Sequence, residues 1–260
     1  MKYIGVFDSG LGGLTVVRSL LKKRPEENIV FFGDSLNMPY GDKTKEEITG
    51  FALHNMQVLE HFDLKALVIA CNTADSAAGE AVAAEAKEPV YGVVRYASQA
   101  AVKATHNKRI GVIATLATVR SEAYPRVLKE LLPDAEVYQA ACPSLVPLIE
   151  AGHLEKNDPE IVEALNEYLP PLIEKGIDTL ILGCTHYPLI ADTIQDMYPE
   201  ITLVSSSDAA ADIVLENVPA EADGCGIQKI YVSSQPAFFT KKAEIFMGDL
   251  LKTDAELFEE

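Results

Sequence analysis

The sequence predicts an α/β fold with mostly parallel sheets and helices packed on both faces. First, short runs rich in β-branched residues alternate with helical stretches along most of the 260 residues, which is typical of βαβ units. Second, the runs at 66–70 and 179–182 are unbroken apolar segments, as expected for strands that helices cover on both faces. Third, 48% of the residues are hydrophobic and 23% are charged, so the chain can bury a large core.

The strand candidates are short and rich in Val, Ile and Phe, residues that fit a pleated, buried surface. They are 2–7, 28–33, 66–70, 90–94, 109–114, 136–140, 178–183 and 201–205. The helix candidates carry apolar residues at three- and four-residue spacing, which gives a helix one apolar face. They are 13–23, 45–62, 75–87, 97–105, 121–132, 144–151, 158–175 and 189–197.

The chain repeats one plan, which predicts two similar halves. A strand, a polar turn and a helix begin at IGVFDSGLGG and again at IGVIATLATV, and an apolar strand ending in a cysteine follows each. We therefore predict two Rossmann-like or flavodoxin-like α/β domains that face each other across an active site. The first comprises residues 1–95 plus 207–260, and the second comprises residues 96–206.

Cys71 and Cys184 each follow an apolar strand, in ALVIACNTAD and TLILGCTHYP. Residues just past the carboxyl end of a parallel strand line the ligand crevice of such folds. Two thiols on opposite sides of one small substrate would allow a proton to leave one face of a carbon and another to enter the opposite face. A single cysteine is more often a small buried apolar residue, and this is our interpretation of Cys142 and Cys225.

Asp8 and His186 are the candidate proton carriers beside these thiols. Asp8 ends the first strand and precedes a glycine-rich turn, and His186 lies two residues after Cys184. The turn is not a dinucleotide fingerprint, because Thr15 stands where the third glycine is required. The alternatives are an ordinary strand-to-helix turn capped by Asp8 or Ser9, and an ordinary loop histidine.

Two further polar segments are candidates for substrate binding. The turn Pro39-Tyr40-Gly41 offers backbone N–H groups and a phenol to a carboxylate. Thr115 and Thr118 take, in the second half, the place of the polar turn in the first. Both segments have plain alternatives, a loop in one case and helix caps in the other.

Charge and composition exclude several classes of protein. The formal net charge of −17 argues against nucleic-acid binding, which needs clustered cations. No apolar run approaches the roughly 20 residues that span a bilayer, and the first residues do not resemble an export signal. We therefore expect a cytoplasmic protein without membrane contact. The four cysteines contain no C-x-x-C pair, which leaves a zinc site from Cys71, Cys184 and His186 as a minor alternative.

Six segments, in this order, resemble the glutamate racemase family of the cofactor-independent aspartate/glutamate racemase superfamily. They are FDSGLGG, GDSLNMPYG, VIACNTA, GVIAT, ACPSLVPLIEAG and LILGCTHYPL. The resemblance implies interconversion of L- and D-glutamate without a cofactor or metal. It also implies supply of D-glutamate for peptidoglycan in a bacterial cytoplasm, two α/β domains with the site between them, and a homodimer.

The resemblance also implies roles for individual residues. Cys71 and Cys184 correspond to the two acid/base groups, with Asp8 assisting the first and His186 the second. The residues that correspond to substrate contacts are Ser9, Pro39, Tyr40, Gly41, Asn72, Thr73, Thr118 and Thr185.

The chain departs from the family pattern at two places. Arg95-Tyr96-Ala97 stands where a variable residue and Pro-Gly are common, and Ser205-Ser206-Ser207 stands where an aspartate is usual. These departures leave two alternatives open, a racemase of aspartate or another acidic amino acid, and an amino-acid-binding protein that has lost turnover. A redox protein is a more distant alternative.

Overall fold

The computed structural model describes residues 1–221 and 224–259, and its strands form two parallel sheets. The strands are β1 (Tyr3–Asp8), β2 (Ile29–Gly33), β3 (Leu64–Ile69), β4 (Val90–Gly92), β5 (Arg109–Ala114), β6 (Glu136–Ala141), β7 (Thr179–Gly183), β8 (Thr202–Ser205), β9 (Gln228–Val232) and β10 (Ala255–Leu257). The first sheet has the order β10-β9-β2-β1-β3-β4, and the second has the order β6-β5-β7-β8. This arrangement confirms the predicted α/β fold with parallel strands.

Helices connect the strands and cover the sheets. The α-helices are α1 (Leu14–Lys23), α2 (Lys45–Leu59), α3 (Asn72–Glu85), α4 (Val93–Ala104), α5 (Leu116–Arg120), α6 (Ala123–Leu131), α7 (Leu145–Ala151), α8 (Pro159–Tyr168), α9 (Pro170–Ile173), α10 (Ala191–Met197), α11 (Ser206–Asn217) and α12 (Pro236–Met247). Short 3-10 helices are at Tyr40–Asp42, Tyr187–Ile190 and Gly248–Leu250. No helix in the described part of the chain is long and apolar enough to cross a membrane.

The eight predicted strands are present, with bounds that shift by one or two residues. The helix predicted over 158–175 is instead two helices, α8 and α9, since Pro170 and Pro171 provide no backbone N–H to continue the ladder. The helix predicted over 121–132 is α6. The short helix α5, which was not predicted, precedes it. The strand predicted over 90–94 ends at Gly92 because α4 begins at Val93.

Both faces of each sheet are buried, which explains the unbroken apolar runs. Along β1, Ile4 and Val6 pack into one core with α1, while Tyr3 and Phe7 pack into another with α2. Two more cores lie on either side of the second sheet. A strand buried in this way must be apolar at every position.

The register of the strands places the polar turns together. In the first sheet Asp8 pairs with Gly33, and Phe7 pairs with Ile69. In the second sheet Ala114 pairs with Gly183. Because all these strands are parallel, the residues that follow them lie at one edge of each sheet.

Helix α4 carries the chain from the first sheet to the second, and α11 carries it back. The Val94 N–H at the start of α4 donates to Asp75 Oδ2 on α3 at 2.7 Å. The residues that depart from the family pattern lie on this connection, where Arg95 is 3.5 Å from Glu130 and the Tyr96 ring packs on Tyr91. The division into domains at 95/96 and 206/207 stays a prediction.

A buried ion cluster fixes the end of α11 against the first sheet. Glu27 is 1% exposed and lies 2.6 Å from Lys65 Nζ and 3.0 Å from Arg24 Nη1. Arg24 also donates to the carbonyls of Leu215 and Val218, in the last turn of α11 and just after it. Removing one member of such a cluster leaves an uncompensated buried charge.

We expect Glu27→Gln to lower the free energy of unfolding by about 3 kcal/mol, because the Lys65 ammonium loses its buried counter-ion. Urea denaturation followed by circular dichroism measures the change. Lys108→Gln, which removes an exposed ion pair with Asp134, is the control and should cost at most about 1 kcal/mol. Equal effects of the two substitutions would contradict the role assigned to the cluster.

Candidate active site between the two sheets

Cys71 lies at the N-terminus of α3, immediately after β3. Its Sγ accepts a hydrogen bond from the Ala74 N–H at 3.4 Å and donates to Ser9 Oγ at 3.5 Å. The side chain is buried, and burial together with the nearby Asp8 charge raises the pKa of the Cys71 thiol to about 12. Cys71 is therefore protonated at neutral pH in this conformation.

Asp8 is a buried carboxyl held by the glycine-rich turn. Its Oδ1 accepts from the Gly10 N–H at 2.8 Å, and a side chain at Gly13 would overlap the Asp8 Cβ. Burial raises the pKa of Asp8, with the charge of His186 acting in the opposite direction. A raised pKa lets a carboxyl exchange a proton near neutral pH more readily than an exposed aspartate does.

Cys184 follows β7 and has His186 beside it. The Cys184 Sγ is 3.8 Å from His186 Nδ1, and His186 Nε2 is 2.9 Å from Glu150 Oε1 on α7. Burial lowers the pKa of His186, but the hydrogen bonds to Cys184 and Glu150 outweigh it and raise that pKa to about 10. The imidazole is therefore charged at neutral pH.

The sequence analysis did not identify Glu150. The residue lies inside the segment ACPSLVPLIEAG, which carried part of the family resemblance, so a signal was present without an assigned role. Lys242 Nζ on α12 donates to the Glu150 carbonyl at 2.5 Å, and the Phe246 ring packs edge-on against His186. Residues from α7 and α12 thus hold the histidine beside the thiol.

The turn after β1 and the turn after β7 are in direct contact. Thr185 Oγ1 donates to Asp8 Oδ2 at 3.5 Å, and Thr15 Oγ1 donates to the Thr185 carbonyl at 3.0 Å. A side chain at Gly12 would overlap both Thr185 and His186. The structure therefore brings Asp8, beside Cys71, together with the turn that carries Cys184.

Three threonine hydroxyls form a second contact between the halves. Thr73 Oγ1 lies 2.8 Å from Thr115 Oγ1 and 3.2 Å from Thr118 Oγ1, and the latter two are 3.0 Å apart. Thr115 also caps α5 by accepting from the Thr118 N–H. The two interpretations of these threonines, helix cap and polar site residue, are thus compatible.

Asn72, in the first half, is held by two residues of the second half. Its Oδ1 accepts from the Tyr124 hydroxyl at 2.6 Å, and its Nδ2 donates to Ser206 Oγ at 3.1 Å. Ser206 Oγ in turn donates to the Leu182 carbonyl, and Ser207 Oγ is 2.7 Å from Thr15 Oγ1. Of the three serines at the second departure from the family pattern, Ser206 therefore bonds across the interface, and Ser207 bonds to Thr15, which itself donates to the Thr185 carbonyl of the second half.

The Tyr40 phenol is hydrogen-bonded inside the first half. The side chain is 1% exposed, and its hydroxyl donates to Asp34 Oδ2 at 2.5 Å and accepts from Asn55 Nδ2 at 3.1 Å. Burial and the Asp34 charge raise the pKa of Tyr40. The phenol is therefore hydrogen-bonded within the first half, and its contact with a ligand stays a prediction. A Cβ built on Gly41 would lie 3.6 Å from the Thr115 Cβ, so the turn reaches the second half.

Within the described residues, no group of three or more His, Cys, Asp or Glu side chains is arranged to hold a metal ion. Of the four cysteines, Cys71 and Cys184 follow the strands β3 and β7 that end at the interface. Cys142 is buried in a core of the second half, and Cys225 is exposed.

Comparison with known proteins identifies the class of protein that has this fold and site. The family model described as Asp/Glu/Hydantoin racemase matches residues 12–214. This span includes both thiols and His186, and Asp8 lies just before it. The fold and the site thus define an amino-acid racemase, an isomerase.

Relatives and solved structures narrow the class. A glutamate racemase of Sulfurihydrogenibium sp. is 40% identical over 255 residues, which cover 98% of this chain and 97% of that protein. A glutamate racemase of Persephonella marina is 42% identical over 94% of this chain and 93% of its own length. The solved glutamate racemase isoform RacE1 of Bacillus anthracis is 33% identical with a TM-score of 0.89, covering 99% and 97%. The Francisella tularensis glutamate racemase in complex with D-glutamate is 34% identical with a TM-score of 0.86, covering 99% and 96%. The chain belongs to the Asp/Glu/hydantoin racemase family, in the branch of the glutamate racemases.

The raised pKa of His186 predicts a pH dependence of stability. A group whose pKa is higher in the folded state stabilises the fold fully below its unfolded pKa and loses that contribution as pH rises to the folded value. As the pH rises from 6.5, the ordinary pKa of histidine, to about 10, the free energy of unfolding of the wild type should therefore fall more steeply than that of His186→Gln. Urea titrations at several pH values measure both slopes, and parallel slopes would contradict the charged state assigned to His186.

Proposed function

We propose that this chain interconverts L- and D-glutamate by a two-base mechanism in which Cys71 and Cys184 are the acid/base groups and no cofactor takes part. The contact between Asp8 and Thr185 at 3.5 Å carries the proposal, because it joins the turn beside Cys71 to the turn that holds Cys184. A substrate bound between these turns would have one sulfur on each side of its α-carbon.

The surroundings of the two thiols differ, which supports different roles for them in the first proton transfer. Cys71 is a protonated thiol with a pKa of about 12, which suits the acid. The charged His186 imidazole lies 3.8 Å from the Cys184 sulfur, and we assign that sulfur the role of base. For one enantiomer, the α-proton moves to Cys184 while the Cys71 proton moves to the opposite face of the carbanion.

After this step Cys71 is a thiolate and Cys184 is a thiol, which is the state needed for the opposite enantiomer. Return to the first state requires one proton to reach Cys71 and one to leave Cys184. Asp8 lies close enough to Cys71 to raise the pKa of the thiol, and His186 is in contact with Cys184. We assign these two residues the role of exchanging protons with the thiols.

The carbanion formed at the α-carbon needs electrostatic stabilisation, because the α-hydrogen of an amino acid is a very weak acid. Backbone N–H groups at the start of α3 and in the polar turns can bind the α-carboxylate, and their exclusion from water strengthens these bonds. We assign substrate binding to Ser9, Pro39, Tyr40, Gly41, Asn72, Thr73, Thr118 and Thr185, with Tyr40 acting through its backbone.

The proposal extends to the setting of the reaction. We infer a cytoplasmic homodimer that supplies D-glutamate for peptidoglycan, and a division into domains of 1–95 plus 207–260 and 96–206. Strands of the first sheet come from residues 3–92 and 228–257, and those of the second from 109–205, which supports the division. Light scattering coupled to size exclusion measures the oligomeric state.

We expect Cys71→Ser to reduce racemisation at least about a thousandfold, because serine is a far weaker acid than a thiol and cannot complete the transfer. In ²H₂O, proton NMR of the α-hydrogen should show residual exchange from one enantiomer only, the one whose hydrogen faces Cys184. Circular dichroism of glutamate follows the racemisation itself.

Cys184→Ser should show the same loss with the opposite enantiomer retaining exchange. Cys142→Ser and Cys225→Ser are the matched controls and should racemise glutamate within about twofold of the wild type, since neither sulfur lies at the interface. Normal racemisation by either Cys71→Ser or Cys184→Ser would overturn the two-base scheme.

A comparison of L-glutamate, L-aspartate and L-glutamine tests the substrate. We expect kcat/KM for L-glutamate to exceed the other two by at least about a hundredfold, because the site must pair both carboxylates of the preferred substrate. Preference for L-aspartate would favour the related activity. Binding of glutamate without α-hydrogen exchange would favour an amino-acid-binding protein.

A further inference from the structure

A large cavity opens between the two halves. Its volume is about 840 Å³, within the range of small-molecule sites, and its walls come from α2 and α3 on one side and α5 and α6 on the other. Three wall residues, Asp42, Asp75 and Ala117, lie on the segments that carry Gly41, Thr73 and Thr118. The cavity wall thus shares three segments with the residues assigned to substrate binding.

The outer part of the cavity is rich in cations, unlike the rest of the protein. Lys43, Lys45, Arg120 and Arg126 line it, four of the 22 Lys and Arg residues of a chain whose net charge is −17. The side chains of Lys43 and Arg120 form no hydrogen bond or ion pair with any described residue. They are therefore available to a ligand.

The acidic residues of the cavity do not cancel this charge. Glu80 is neutralised by Arg126, whose Nη1 lies 2.7 Å from its carboxylate across the gap between α3 and α6. Burial raises the pKa of Asp75 to about 7, so this carboxyl carries only part of a charge at neutral pH. Among the other charged wall residues, Asp42 carries a negative charge, and Lys43, Lys45 and Arg120 carry positive charges. The cavity is therefore locally positive.

We propose that this cavity is the entrance to the thiol site and that Lys43 and Arg120 attract an anionic, carboxylate-bearing substrate into it. The inference rests on the proposed function for the identity of that substrate. A protein of charge −17 repels an acidic amino acid over most of its surface. A cationic entrance overcomes that repulsion locally, because fields within a low-dielectric cleft are focused and concentrate the oppositely charged ligand.

Alkylation of the thiols tests the entrance without relying on racemisation. Iodoacetate is anionic and iodoacetamide is neutral, and both react with the same thiolate, so the ratio of their rates reports the charge along the route. In the double variant Lys43→Gln/Arg120→Gln, we expect this ratio at Cys71 and Cys184 to fall at least about threefold at low ionic strength. Peptide mass spectrometry resolves each cysteine.

Lys22→Gln/Lys241→Gln is the matched control, because it makes the same change in net charge on α1 and α12, which do not line the cavity. Its ratio at Cys71 and Cys184 should stay within about 1.5-fold of the wild type. The ratio at the exposed Cys225 should also be unchanged in both variants. If the ratio of alkylation rates falls equally in the two double variants, or does not fall in Lys43→Gln/Arg120→Gln, the cavity is not the entrance to the thiol site.

Racemisation then connects the entrance to the substrate. The cavity variant should raise KM for glutamate about three- to tenfold with kcat within about twofold, and added NaCl should weaken the dependence on these charges. A lower kcat at unchanged KM would contradict the role. Absence of racemisation in the wild type would overturn the proposed function alone, since the alkylation ratio still tests the entrance.

Discussion

The structure depends on one constraint, that residues just beyond the carboxyl ends of parallel strands lie at one edge of each sheet. In the first sheet this edge holds Asp8 and Cys71, and in the second it holds Thr115 and Cys184. The two edges meet where Thr185 donates to Asp8. Each sheet thus contributes one thiol to a shared interface, which neither half forms alone.

Burial at this interface determines the charge of each group. Removal from water raises the pKa of the Cys71 thiol and of the Asp8 carboxyl, since both lose hydration of their charged forms. His186 is buried as well, yet its pKa rises because Cys184 and Glu150 stabilise the cation. Similar depths of burial therefore produce a neutral thiol on one side and a charged imidazole on the other, an asymmetry typical of acid/base sites.

Hydroxyl and amide groups hold the interface together around these charges. Thr15, Asn72, Thr73 and Ser206 all bond to residues of the opposite half. Such bonds are individually modest and exchange readily with water or ligand groups, which suits the proposed binding of a substrate at this interface. The serines that differ from the family pattern take part in this network.

The sequence by itself determined the fold class and the two strand–cysteine turns, because unbroken apolar strands and the polar residues after them are local signals. Strands β9 and β10 were not predicted, since β10 is the edge strand, β9 lies next to it, and both are partly exposed and partly polar. Only the tertiary structure decided the partners: Glu150 meets His186 from 36 residues away, the Tyr124 hydroxyl donates to Asn72, and the Tyr40 hydroxyl donates to Asp34. Those contacts depend on how two sheets pack against each other, and no pattern within one segment encodes that geometry.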